Sequence, residues 1–336
     1  MTKPTYVCPD CANPLQRSGS GLTCPSCQTT YGAIGPGFNF LQPDTDDNKG
    51  QQAEIYDGML GELSNFDHPH NLTLRYQRKL LDGLHLAHSS TVLEIGGHRS
   101  GVLPYLEKTP QLSAHGIDIS LAWVQAQNRL AQARESDTVW HLGDAERLPF
   151  SDAMFDAIVS FDVFEHLSDI RAAARECHRV LRPGGTLLVH MPIQDVGGSL
   201  DGLQRQFRGD VWRSAQASVG HFHEHMLTAE AASLMFQEYG FDIVRHERFN
   251  VWLQPLHDHK WLSLLGRLRR GLPGQGDAGS NTHETQGATT SGPSRFQRGY
   301  GRVVLPIVST LAQVDRLGRR LGVGGSATWV LEKASA

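Results

Sequence analysis

A chain of 336 residues with 39% hydrophobic and 20% charged side chains has room for one large domain and a small companion. No apolar run in it approaches the ~18 residues of a membrane span. The formal charge of −4 conceals an asymmetry: after residue 250, eleven Lys/Arg face five Asp/Glu, so the first 250 residues are net −10. An acidic body of that kind argues against nucleic acid as the main partner.

The chain opens with two matched pairs, Cys8-Pro9-Asp10-Cys11 and Cys24-Pro25-Ser26-Cys27. A C-x2-C turn aims two thiolates at one point, and two such turns complete a tetrahedron around Zn2+. Two disulfides would need an oxidising compartment, and residues 1–7 have no apolar leader core, so a cytoplasmic location is expected. A thioredoxin-like redox pair would need a βαβ context. Zinc on Cys8, Cys11, Cys24 and Cys27 is therefore the favoured reading, with no ligand position left open and so a structural role. A module of about 40 residues buries too little apolar surface to fold alone, and the metal would supply the difference.

The glycine-rich stretch 31–41 and a polar linker, 42–52, close this module, placed at 1–43. Linker and helices are expected over 44–90, where Leu72, Tyr76, Leu80 and Leu84 repeat at a helical interval. From 91 the pattern turns to strand, helix, strand, helix. Short apolar strands are expected at 91–95, 114–119, 138–142, 156–161 and 186–191. Helices are expected at 121–133 and 170–181. Continuous apolar strands alternating with helices predict a parallel sheet covered on both faces. A helix at 228–239 and a strand at 241–249 carry this core, 91–252, to its end. The segment 253–326 reads as a helical, low-complexity insertion with 271–294 disordered, and 327–336 as a final strand at the sheet edge. Cys177, alone in a helical pattern, reads as a buried thiol.

In an open parallel sheet, ligands bind beyond the carboxyl ends of the strands. The first expected strand ends in Glu94-Ile95-Gly96-Gly97, whose glycines admit a ligand close to the backbone. The second ends at Asp118, a carboxylate able to accept two hydrogen bonds from a ribose diol. The third ends in Gly143-Asp144-Ala145, where Asp144 can meet an adenine amino group. The fourth ends in Ser160-Phe161-Asp162-Val163-Phe164-Glu165-His166, with polar groups at the ligand's reactive end. This set fits an adenosine ligand lying across the sheet. A nicotinamide dehydrogenase would want G-x-G-x-x-G, which is absent.

Here the chain resembles the class I S-adenosylmethionine-dependent methyltransferases, particularly the type 11 group. The resemblance rests on Val92-Leu-Glu-Ile-Gly96, Gly116-Ile-Asp-Ile-Ser120, Gly143-Asp-Ala-Glu-Arg-Leu-Pro-Phe150, the run from Phe155 to Asp169, and Arg179-Val-Leu-Arg-Pro-Gly-Gly185. It implies a Rossmann-like, doubly wound, mostly parallel seven-stranded sheet and S-adenosyl-L-methionine as cofactor. It implies Glu94, Gly96 and Gly97 at the methionine part, Asp118 on the ribose and Ile119 on the adenine. Asp144 and Ala145 would lie at the adenine edge, with Phe161 and Asp162 closing the pocket. The cysteine module is similar to small zinc ribbons that accompany such enzymes. One departure stands out: where the family reads E-x-G-x-G-x-G, His98 and Ser100 replace the second and third glycines, and Arg99 becomes a candidate partner for the cofactor carboxylate.

Proton-accepting candidates are His166, Asp162 and Glu165, then His190 and the His221-x-His223-x-His225 alternation. For His166 the favoured reading is packing beside Glu165, and for the three alternating histidines a solvated loop. Two apolar stripes edged with arginine follow, one around Trp261, Leu264, Leu265 and Leu268, the other through Val304, Ile307, Val308, Leu311, Val314, Leu317 and Leu321. They read as a lid or as a surface that meets anionic lipid at the inner membrane face. Three function classes stay open. The favoured one is methylation of a small molecule or lipid-linked metabolite. The others are an RNA methyltransferase gripping substrate through the ribbon, and a non-catalytic cofactor-binding or partner-activating module.

Overall fold

The structure, a computed structural model, describes residues 5–41, 72–97, 102–109, 111–207, 209–210, 226–253, 310 and 313–335. The readings made for the linker at 42–52, for His98, Arg99 and Ser100, for His221, His223 and His225, and for 261–311 fall outside those residues, Thr310 excepted.

The cysteine-rich segment forms a small three-stranded antiparallel sheet, β1 (Gln16–Ser18), β2 (Gly21–Thr23) and β3 (Thr30–Tyr31). A second ladder follows, β4 (Ala33–Ile34) with β5 (Gly37–Phe38). Among the described residues its core is Leu22, Tyr31, Phe38 and Phe40 around Cys8 and Cys24, with Tyr6 and Leu15 partly buried against it. So few apolar groups agree with the expectation that this segment needs help to fold.

After α1 (Leu72–Asp82) the elements alternate. They are β6 (Thr91–Ile95), α2 (Val102–Leu106), β7 (Ser113–Asp118), α3 (Leu121–Ala133), β8 (Val139–Leu142), β9 (Phe155–Phe161), a 3-10 turn (Phe164–His166), α4 (Ile170–Val180) and β10 (Leu181–Pro192). Then come α5 (Leu200–Phe207), α6 (Ala229–Glu238), β11 (Phe241–Phe249), α7 (Val314–Arg320) and β12 (Ser326–Lys333). Side-chain oxygens start three of the helices: Ser120 accepts from the Trp123 N–H, Asp169 from Ala172 and Thr228 from Ala231. In α4, Ala173, Cys177 and Val180 share one buried face at helical spacing, and burial pushes the Cys177 thiol up.

The seven-stranded sheet runs β11-β12-β10-β9-β6-β7-β8. Strands β8, β7, β6, β9 and β10 are mutually parallel, and β12 lies antiparallel to both β10 and β11. Residues alternate between its faces. Val92 joins Trp123, Trp140 and Phe161 on one side, while Leu93 and Ile95 join Phe155, Val180, Phe236 and Trp329 on the other. The result is the doubly wound, mostly parallel seven-stranded architecture the resemblance implied.

The last strand corrects the expectation. The segment placed at the edge is inside the sheet, and β11 is the edge. Ala327, Thr328, Trp329 and Leu331 are at most 2% exposed, as a strand covered on both faces must be. Strand β11 instead exposes Asp242, Arg245 and His246 and shifts register between Ile243 and Arg245. Charge and irregularity of this kind are what keep an open edge from pairing with another chain.

The opposite edge, β8, is covered by the ribbon. The Phe40 N–H donates to the Leu142 carbonyl at 2.7 Å, Asn39 pairs in parallel with Leu142, and the Phe38 N–H donates to His141 Nδ1 at 3.2 Å. Asn128 of α3 ties both modules, with its amide nitrogen 3.3 Å from the Ile34 carbonyl and 3.0 Å from that of Trp140. Gly37 allows this approach, because a Cβ there would lie 2.0 Å from the Trp140 carbonyl oxygen.

Candidate functional site

The carboxyl ends of β6, β7, β8 and β9 converge through backbone hydrogen bonds. The Gly96 N–H donates to the Ile117 carbonyl at 2.8 Å, and the Gly143 N–H to that of Asp118 at 2.9 Å. Gly96 sits at φ +69°, and a Cβ on it would be 2.2 Å from Val163 Cγ2. It is thus a glycine for both backbone conformation and space. A Cβ on Gly97 or Gly116 would strike the Trp140 ring at 2.1–2.2 Å. That indole therefore floors the crevice beneath the first two strand ends.

Asp118 is at the centre. Its Oδ2 accepts the Gly97 N–H at 3.0 Å and its Oδ1 the Ser120 N–H at 2.8 Å. Two backbone donors fix the carboxylate plane before any ligand arrives. Glu94, nearly fully buried, accepts the Leu103 N–H of α2 at 3.2 Å, anchoring the first turn of that helix. Ile119 is half-buried beyond Asp118. Asp144 is buried, with its Oδ1 accepting the Glu146 N–H at 2.9 Å, and Ala145 is buried beside it. The structure thus brings Gly96, Gly97, Asp118, Ile119, Asp144 and Ala145 to one rim.

The β9 end divides its candidates. Phe161 is 3% exposed and packs into the core edge-on to His190. Asp162 is exposed at φ +56°, a left-handed conformation that aspartate tolerates. Its N–H donates to the His190 carbonyl at 2.8 Å, and its Oδ1 lies 3.9 Å from His190 Nε2. His190 is buried, its Nδ1 is 2.7 Å from the Thr328 hydroxyl, and burial lowers its pKa despite the Asp162 charge. His166 and Glu165 face each other at 3.7 Å with side chains almost wholly buried. Burial, then the Asp162 charge, raises the Glu165 pKa well above the carboxylate range. This pair packs, as expected for His166, and the helix that follows is capped by Asp169 instead.

The second cluster is the thiol set. The four Sγ atoms of Cys8, Cys11, Cys24 and Cys27 lie within 4.8 Å of one another, with pairs at 3.4, 3.6 and 3.8 Å, and none is in a disulfide. Zn–S bonds of about 2.3 Å arranged tetrahedrally give sulfur–sulfur edges of about 3.8 Å. The cluster therefore fits a closed four-thiolate zinc site. Tyr31 Oη is 3.1 Å from Cys8 Sγ and 3.3 Å from Asp10 Oδ2. Burial pushes the Cys8 thiol up to about 11, whereas the Thr29 hydroxyl and N–H pull Cys27 down to about 6. A bound Zn2+ would override both and hold all four as thiolates.

Sequence reasoning missed the junction between these clusters. His141, inside an apolar strand, is a buried acceptor for the ribbon backbone, and Arg147 sits between Asp144 Oδ2 (3.9 Å) and Asp10 Oδ1 (3.6 Å). A histidine and an arginine flanking the third strand end were the available signals.

Residues 93–189 match a family model described as a methyltransferase domain. The chain is 26% identical to the demethylmenaquinone methyltransferase of Thermotoga maritima over 208 residues, 61% of this chain and 87% of that relative. It is 32% identical to the ubiquinone/menaquinone biosynthesis C-methyltransferase of Dinoroseobacter shibae over 195 residues, 53% of this chain and 76% of that relative. Among solved structures, phosphoethanolamine N-methyltransferase 2 of Haemonchus contortus in complex with S-adenosyl-L-methionine superposes with a TM-score of 0.50. That match has 14% identity and covers 78% of this chain and 53% of that one. At such identity the likeness is one of fold.

Proposed function

The chain belongs to the class I S-adenosylmethionine-dependent methyltransferases, and from that premise we propose that it methylates a ring carbon of a lipid-linked quinol. The observation that carries this reading is the similarity to quinone C-methyltransferases over most of those relatives' length. When bound, S-adenosylmethionine supplies an activated methyl group on a sulfonium. The chain's own residues then have to orient, exclude water and move one proton.

We assign Asp118 to the ribose hydroxyls, because its carboxylate is oriented in advance by Gly97 and Ser120. Asp144 and Ala145 hold the adenine edge and Ile119 its face. Gly96 and Gly97, with Glu94 behind them, give the methionine part room. Phe161 supports this wall from the core. Asp162 is the exposed carboxylate at the end of β9, and it takes the proton that the acceptor loses, with His190 behind it. We assign the acceptor to a cleft of about 380 Å³ that follows β10 and is lined by Gln194, Asp195, Gly202, Arg205 and Gln206.

The apolar tail of such an acceptor calls for a lipid-facing rim. Val314, Leu317 and Leu321 are 51%, 58% and 69% exposed in and just after α7, with Arg316 and Arg320 exposed between them. This supports peripheral contact with anionic lipid at the inner membrane surface. Full-length protein is expected to float with anionic vesicles, and the double variant Leu317→Glu/Leu321→Glu to stay at the bottom of the gradient. Equal flotation of both would remove the contact.

The RNA reading finds little support in the ribbon, where the Arg17 guanidinium lies over the Phe38 ring at 5.1 Å rather than on a basic surface. The deciding assay offers methyl-labelled cofactor together with a reduced demethylated quinone in vesicles, or with total RNA. Label is expected in the quinone, falling about 10²–10⁴-fold in Asp162→Asn. Label in the RNA pool alone would overturn the assignment.

A further inference from the structure

The turn 143–148, which carries Asp144 and Ala145, is gripped by the ribbon at both of its ends. On the strand side, the Phe40 N–H donates to the Leu142 carbonyl at 2.7 Å. On the far side, the Val7 N–H donates to the Pro149 carbonyl at 3.1 Å, Tyr6 pairs with Phe150, and the Ser151 N–H donates to the Thr5 carbonyl at 3.1 Å. Tyr6 fills the space between, 5.4 Å from the Phe38 ring, 5.3 Å from His141 and 6.0 Å from Phe150.

The grip is continuous with the thiol cluster. Val7 adjoins Cys8, and Asp10, within the first C-x2-C turn, meets Arg147 at 3.6 Å. Tyr31 Oη contacts both Cys8 Sγ and Asp10 Oδ2. The inner side of the same turn is held by α4, where Arg179 donates to the Leu148 and Phe150 carbonyls at 2.9 and 2.7 Å. The turn thus has two supports, one belonging to the main core and one to a segment whose own core is six residues, two of them thiols.

We propose that the ribbon is a brace for the adenine end of the cofactor crevice, with Tyr6, Asp10 and Arg147 as positioning residues, so that filling the thiol cluster sets cofactor affinity. This rests on the reading of Asp144 and Ala145 as the adenine edge. Without metal the ribbon loses its fold. The outer support then goes, and the turn must be ordered at the moment of binding, which weakens affinity.

The test uses the full chain in three forms, zinc-replete, zinc-stripped, and zinc-replete Tyr6→Ala, which keeps every thiol and every crevice residue. Amide hydrogen exchange is followed across 142–151 without cofactor, and S-adenosylhomocysteine affinity is measured separately. Exchange across 142–151 is expected to quicken in both altered forms while that of 91–97 stays unchanged, with affinity falling about tenfold. Unchanged exchange, or quickened exchange with unchanged affinity, would overturn the brace. Zinc-replete parent that binds no S-adenosylhomocysteine would instead sink the adenine reading, and the exchange pattern would still decide the brace by itself.

Discussion

Asp118→Ala is expected to weaken S-adenosylhomocysteine binding by about 10²–10³-fold while leaving a folded protein. A carboxylate that receives two ribose hydroxyls makes two charge-assisted hydrogen bonds, each worth about 1.5–3 kcal/mol. Alanine removes both. It also strips the Gly97 and Ser120 N–H groups of their acceptor, so the first two strand ends keep the Gly96–Ile117 backbone bond but lose their side-chain tie. Asp118→Asn is a sharper variant. It keeps the shape, but its amide nitrogen must face one of those two N–H donors, and an unsatisfied buried donor costs about 1–3 kcal/mol. Both variants should therefore melt earlier than the parent, with asparagine binding better than alanine but well below the parent. Equilibrium dialysis with a melting curve on each protein checks this. Parent-like affinity in Asp118→Ala would show that the ribose lies elsewhere.

The second large effect concerns the thiol cluster. One zinc per chain is expected in protein prepared without chelator, and Cys24→Ser is expected to lose it together with the fold of the ribbon. Cys24 is fully buried, and it closes half of the 3.4 Å pair with Cys11. Structural zinc contributes about 10–16 kcal/mol of apparent binding energy to peptides of this kind at neutral pH. The four apolar side chains of the ribbon core, at about 1.5–3 kcal/mol each, add about 6–12 kcal/mol, which does not offset the ordering of a segment of about 40 residues at about 1–2 kcal/mol each without the metal. The consequence should spread beyond the ribbon, because Phe38, Phe40 and Tyr6 cover His141 and Phe150. Losing that cover would expose the β8 edge, and an open strand edge invites association. Metal analysis, near-ultraviolet circular dichroism and light scattering on Cys24→Ser follow the three steps. A metal-free chain with an unchanged melting curve would contradict the structural role of zinc.

Much of this molecule was legible because its signals are local. Periodicity and turn residues located the helices now bounded by Ser120, Asp169 and Thr228, since an N-cap and an apolar face are both written in adjacent residues. The rim was legible for a related reason. In a parallel sheet the residue after each apolar run must lie at the ligand end, so Gly96, Asp118 and Asp144 could be placed together from spacing alone. What stayed hidden depended on pairing between distant segments. The order of β11 and β12 turns on which of two adjacent strands is covered on both faces. The run Ala327-Thr-Trp-Val-Leu331 against the charged 242–248 was the clue, though a terminal strand reads first as an edge. The seating of the ribbon on β8 was hidden for the same reason. Nothing local to Val7 or Phe40 names Pro149 or Leu142 as its partner. His190 could be placed at the fifth strand end but its partners could not, since Asp162 comes from the turn after β9 and Thr328 from the distant β12.

We place an adenosine-bearing methyl donor along the ends of β6, β7 and β8. Calorimetric titration of the zinc-replete full chain with S-adenosylhomocysteine tests it most directly. One site per chain is expected, with affinity in the micromolar range, about −8 kcal/mol, and competition by S-adenosylmethionine. An absence of binding heat at millimolar ligand, in protein shown to be folded and metal-loaded, would contradict it.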